Sequence, residues 1–150
     1  MHLKAGRVGL NRLIAVAIFP IALFAISGCA GGQSATHVPG KEIRVAERDF
    51  KIAVAQKRVP AGDYTLAVHN KGPDSHELIV IKARSPRLPL RREGMTVDEE
   101  LLEPVIPAAL EPESPGTHHL EVHLTPGRYE LICNMSGHYF GGMRAQLVVQ

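Results

Sequence analysis

From Glu42 to Gln150 apolar residues fall at alternate positions in short runs, and Pro, Gly, Asn or Asp interrupts each run. Successive side chains of an extended chain point to opposite faces, so this spacing predicts short strands with one buried face. "YTLAVHN" puts Tyr64, Leu66 and Val68 on one face, and "HHLEVHL" puts Leu120, Val122 and Leu124 together. "TPGRYELIC" does the same with Tyr129, Leu131 and Cys133. "HELIVIKA" is apolar at almost every position, the pattern of a strand covered on both faces. "EIRVAERDFKIAVAQKRVPAGDY" reads as one or two strands and a turn at Pro60, and "RAQLVVQ" closes the chain. "PAGDYTL" and "PGRYEL" each set a Pro/Gly turn before a tyrosine and a leucine, which predicts two similar corners.

The stretch from Arg84 to Gly116 breaks the pattern with six prolines. Within it "MTVDEELLEP" offers Thr96 and Glu99 as a capping box and Pro104 as a stop, so one or two helical turns are expected. Seven or eight strands with one such crossover predict an all-β protein, a Greek-key β-sandwich with a Pro-rich insertion holding a short helix. A small barrel is the alternative architecture. The roughly 110 residues from 42 to 150 suffice for one modest core and one domain, with 84–116 as its insertion.

Residues 1–28 read as an export signal. Lys4, Arg7 and Arg12 precede an apolar run from Leu13 to Ile26, which is shorter than the roughly 20 residues that span a bilayer. "ISGC" at Ile26–Cys29 resembles the bacterial lipobox, with isoleucine in place of the usual leucine. That resemblance implies lipid on Cys29, a flexible tether over 29–41, and an extracytoplasmic protein anchored to a membrane, in the periplasm or at the cell surface. Without the three signal cations the 17 basic residues become 14, against 15 acidic ones, so the net charge of +2 is a targeting feature. No basic cluster points to nucleic acid. With Cys29 lipidated, Cys133 has no disulfide partner, and an exported lone thiol calls for another role.

"CNMSGHYFGGM", Cys133 to Met143, supplies one. Alone, Cys133 reads as a small core residue. Yet it ends an inward-facing strand, and Gly137, Gly141 and Gly142 permit a backbone path that folds His138 and Met143 toward it. His76 opens the strand "HELIVIKA" on the same face as Leu78 and Val80. Two imidazoles, a thiolate and a thioether suit a mononuclear copper electron-transfer site. Zinc does not select methionine, and iron–sulfur clusters need more cysteines. His119, Glu121 and His123 share an outward face and form a weaker metal candidate.

At these residues the chain resembles the cupredoxins, the type 1 or blue-copper proteins. The resemblance rests on "NKGPDSHEL" and "CNMSGHYFGGM", and it covers about residues 42–150. It implies one type 1 copper with His76, Cys133 and His138 as equatorial ligands and Met143 as the axial one. Glu77 stands where many members carry Asn or Ser, and a Glu77–Asn134 hydrogen bond is expected to fasten the two ligand loops. Met135, Tyr139 and Phe140 are expected to form an apolar collar around His138 for transient docking with membrane or soluble redox partners, by a monomer. The implied function is carriage of single electrons, and the protein is not expected to be an enzyme. A binuclear copper centre needs a second loop cysteine, and multicopper oxidases carry a His-Cys-His tripeptide absent here. Copper storage or delivery on the same fold, and a structural domain with a Cys29–Cys133 disulfide, remain open alternatives.

Overall fold

The computed structural model describes residues 41–150. The signal, Cys29 and most of the tether lie outside the described residues. The alternating segments form strands, in two sheets. β1 (Lys41–Arg48), β2 (Lys51–Val54), β4 (Gly62–Asn70) and β7 (Gly116–Leu124) make a four-stranded sheet in the order β2-β1-β4-β7. β3 (Arg58–Val59), β5 (His76–Lys82), β6 (Ala108–Glu113), β8 (Gly127–Ile132) and β9 (Arg144–Val149) make a five-stranded sheet, β3-β9-β8-β5-β6. Pairing is antiparallel except for β1 with β4 and β3 with β9.

The inner faces of the sheets meet in the main core. Its members include Tyr64, Leu66 and Val68 from β4, Leu78 and Val80 from β5, Val122 and Leu124 from β7, and Tyr129, Leu131 and Cys133. These are the faces that the alternation assigns, except that Leu120 is only partly buried. The two tyrosine corners are alike as expected. The Tyr64 hydroxyl donates to the Pro60 carbonyl at 2.8 Å, and Tyr129 donates to the Thr125 carbonyl at 2.9 Å, each four residues upstream.

β5 is covered on both faces. Ile79 and Ile81 point away from the main core and join Leu88, Val97, Leu102, Ile132 and Tyr139 in a second core, built largely from the insertion. The insertion is more regular than its prolines suggest. Near its end runs the strand β6, which pairs with β5 in the register Leu78↔Leu110 and Val80↔Ala108. The open edge of β5 needs a hydrogen-bond partner, and Pro112 is tolerated because β6 is the sheet's edge. α1 (Glu99–Leu102) is capped by Asp98, whose carboxylate accepts the Leu101 N–H at 3.3 Å, and not by Thr96. Thr96 donates to Glu93 at 2.9 Å instead, and Glu99 is engaged elsewhere. The helix stops before Pro104, as expected. Among the described residues no helix is long and apolar enough to cross a membrane.

Candidate metal centre

Two loops at one end of the sandwich bring the candidate ligands together. The first follows β4. Asn70 accepts the Gly72 N–H at 2.9 Å and donates to the carbonyls of Asp74 (2.8 Å) and Glu113 (3.1 Å), so one buried side chain shapes the whole turn. β5 then begins at His76, which has no exposed surface. The β5–β6 register slips between His76 and Leu78, and such irregularities re-aim a side chain.

The second loop joins β8 to β9. The Cys133 N–H donates to the Met143 carbonyl at 3.1 Å, and the Met143 N–H donates to the His138 carbonyl at 3.0 Å, so the loop closes on its own backbone. Gly137 (φ 83°) and Gly142 (φ 99°) take left-handed conformations that side chains disfavour. Their place in the loop is thereby fixed.

The donor atoms of His76, Cys133 and His138 all lie within 4.8 Å of one another, the one such trio of His, Cys, Asp and Glu among the described residues. Cys133 Sγ is 3.4 Å from His138 Nδ1, and the two imidazoles stand edge to face at 5.3 Å between centroids. Cys133 is a free thiol with no exposed surface, Met143 is fully buried in the same core, and His138 is half-buried. Burial pushes the Cys133 thiol up to about 11, although the backbone N–H groups of Met135 and Glu77 pull against it. Burial first, and then His138 beside it, lowers the His76 pKa; Asp49 and Asp74 oppose both. His119, Glu121 and His123 are exposed on the outer face of β7, and His123 is spent on Asp63 at 2.6 Å.

The expected contact between Glu77 and Asn134 is made at the Asn134 backbone. Asn134 turns its side chain to the insertion. Its Oδ1 accepts the Val97 N–H at 2.5 Å, and its Nδ2 donates to the Val97 carbonyl (3.0 Å) and to Glu99 (2.6 Å). Glu77 faces the backbone N–H of Asn134, which favours its charged form; burial and the Glu99 charge outweigh this and raise its pKa to about 7. The loops are therefore joined through the backbone of Asn134, while its amide group ties the loop to α1.

The collar around His138 also differs from expectation. Tyr139 turns inward to the second core, where Arg144 lies over its ring and donates to its hydroxyl at 3.1 Å. Met135 is partly buried against the main core. Phe140 is 58 % exposed, as expected, and the other exposed apolar groups near the loop are Phe50, packed on His138, and Met95, whose carbonyl accepts the Gly137 N–H. The sequence reading does not single out Phe50, Met95 or Asp49, which lies behind His76. The one signal for Asp49 and Phe50 is their two-residue turn, which lacks glycine and asparagine, and Met95 has none.

No protein-family model matches the chain, and no curated protein matches it in sequence. Solved structures do match in fold. Auracyanin from the photosynthetic bacterium Roseiflexus castenholzii is 21% identical, with a TM-score of 0.54 over 74% of this chain and 98% of its own. Auracyanin B is 18% identical, with a TM-score of 0.57 over 75% of this chain and 90% of its own. Rusticyanin from Thiobacillus ferrooxidans is 18% identical, with a TM-score of 0.56 over 74% and 79%. One rusticyanin structure is described as that of a copper protein. These likenesses show the fold: the described residues form a cupredoxin β-sandwich.

Proposed function

We propose that this chain is a type 1 copper protein of the cell envelope, anchored by lipid on Cys29, that carries single electrons between redox partners. The observation that carries the reading is the buried trio His76, Cys133 and His138, with donor atoms within 4.8 Å of one another and Met143 buried in the same core. The donor set fits copper, since two imidazoles, a thiolate and a weak thioether are its preferred electron-transfer ligands. His76 Nδ1 is buried without a hydrogen-bond partner, an orphan that a bound metal would satisfy. Copper held there supplies a one-electron couple.

The chain's own residues supply the rest. His76, Cys133 and Met143 exclude water, and the backbone bonds from Cys133 to Met143 and from Met143 to His138 keep the donors in place. A fixed set of donors needs little rearrangement when charge changes. Because the Cys133 thiol titrates only at about 11, metal uptake must expel its proton. Half-buried His138 forms the route outward, with Phe50 and Phe140 exposed near it; a small apolar contact of this kind suits brief docking. Copper delivery would call for donors open to exchange, so the complete burial of three of the four favours the carrier.

The test is to load the purified chain with Cu(II). An intense visible thiolate-to-copper band is expected, reversible by one-electron reduction and absent from Cys133→Ser. A colourless protein that holds no copper refutes the reading. Mass spectrometry of the protein isolated from membranes checks the lipid: an unmodified Cys29 refutes the anchor alone.

A further inference from the structure

The turn between β1 and β2 is only two residues long, because Arg48 pairs directly with Lys51. Such turns favour Asn or Gly where φ is positive, yet here Phe50 has φ 60°. A bulky residue in left-handed backbone persists only where its surroundings hold it, and such sites cluster at functional centres. Phe50 is held by His138: the two rings are 5.2 Å apart between centroids, at 60°.

Asp49 points to the other imidazole. Its Oδ1 lies 3.2 Å from His76 Nε2. Oδ1 and both nitrogens of His76 are buried, and none has an aligned hydrogen-bond partner. Asp49 and His76 are thus within reach but off the line of a hydrogen bond. Two glycines make the approach possible. A Cβ on Gly72 would stand 2.5 Å from Asp49 Oδ1 and 2.9 Å from His76 Nε2, and a Cβ on Gly141 would collide with the Phe50 ring.

We propose that the Asp49–Phe50 turn is a clasp for both imidazoles of the metal centre. Asp49 is a positioning residue: it holds the His76 proton on Nε2 and turns bare Nδ1 toward Cys133. Phe50 walls the His138 ring on its outer side. A carboxylate behind a ligating imidazole fixes its tautomer and strengthens it as a donor. A stronger donor favours Cu(II) over Cu(I), so Asp49 lowers the reduction potential of the centre. This inference rests on the copper reading above, but its first test does not need the metal.

That test is the His76 tautomer, read from ¹⁵N–¹H couplings in the metal-free full chain. Wild type is expected to carry the proton on Nε2, and Asp49→Ala to give mixed tautomers. A proton on Nδ1 in wild type, or no change in Asp49→Ala, overturns the Asp49 role. In the copper-loaded chain, Asp49→Ala is expected to lose roughly 10–100-fold in copper affinity and to show a raised potential. Asp49→Asn keeps an acceptor oxygen without the charge, so it recovers most of the affinity and leaves the potential raised. An Asp49→Ala protein that holds copper with wild-type affinity and potential overturns the proposal, as does one in which Asn restores nothing. Phe50→Gly keeps the turn and removes the ring; a shifted copper band is expected, and an identical one overturns the Phe50 half. A wild-type chain that binds no copper defeats the functional reading, and the tautomer result then decides the clasp by itself.

Discussion

Glu47 gives the most quantitative prediction. It continues the inward face of β1 after Ile43 and Val45, and it is 2 % exposed with no hydrogen-bond partner at Oε1. Burial, and secondarily the charge of Glu77, raise its pKa from 4.5 to about 7. Between those values the folded chain holds a proton that the unfolded chain has released. The stability this proton provides is therefore fully present below about pH 4.5 and is lost as pH rises through about 7. At about 1.36 kcal/mol per pH unit, the loss is on the order of 3 kcal/mol by pH 8. Glu47→Gln keeps the shape and the polarity but has no proton to lose. Urea unfolding of the metal-free wild type and variant at pH 5 and pH 8 measures the effect, together with its coupling to Glu77. The two should be similar at pH 5. At pH 8 the variant should be more stable by about 3 kcal/mol, a midpoint shift of roughly 1–3 M urea. An equal gap between the two proteins at both pH values would refute the argument, since Glu47 would then have to be solvated or paired when charged.

Three other outcomes follow from packing and hydrogen bonding. Ile79→Ala should cost about 2–5 kcal/mol in thermal or urea unfolding, because the second core closes tightly over it, whereas Leu101→Ala, at an exposed position, should cost under about 0.5 kcal/mol. Asn134→Ala leaves the buried Val97 N–H and carbonyl without their partner; a loss of about 1–3 kcal/mol is expected, with faster hydrogen exchange at the Val97 amide. Tyr64→Phe should cost about 1 kcal/mol. Tyr129→Phe should cost more, since that hydroxyl also accepts the Thr125 N–H at 3.1 Å, and equal costs would count against the assignment.

The sandwich was legible wherever a strand's burial follows from its own alternation. Tyr64, Leu66 and Val68 had to share a face, and the continuous apolar run in β5 had to be covered twice. The four candidate ligands were legible for a related reason: His76 and Cys133 sit at ends of strands whose inward faces were already assigned. What escaped the reading depends on partners distant in sequence. β6 looks irregular because only the unpaired edge of β5 makes it a strand. The side-chain amide of Asn134 takes its partners from the insertion, where Val97 and Glu99 offer it a complete set. Tyr139 reads as surface because the residues that bury it, among them Ile79, Leu88 and Val97, come from β5 and the insertion. Asp49 and Phe50 follow a charged residue in an ordinary hairpin, and nothing local says that each faces a different imidazole.

The two-sided burial of β5 bears on how this chain can be shortened. The stretch 84–116 looks expendable in a sequence, a proline-rich excursion between strands. Cut away, it would leave Ile79, Ile81 and Ile132 facing water in the middle of the five-stranded sheet, beside an unguarded edge of β5. A long apolar strand with free hydrogen-bonding groups is a template for another copy of itself. β6 ends that edge with Glu111, Pro112 and Glu113, two charges and a residue that cannot donate. The excursion therefore guards that edge, and a minimal version of this domain would need a new guard there.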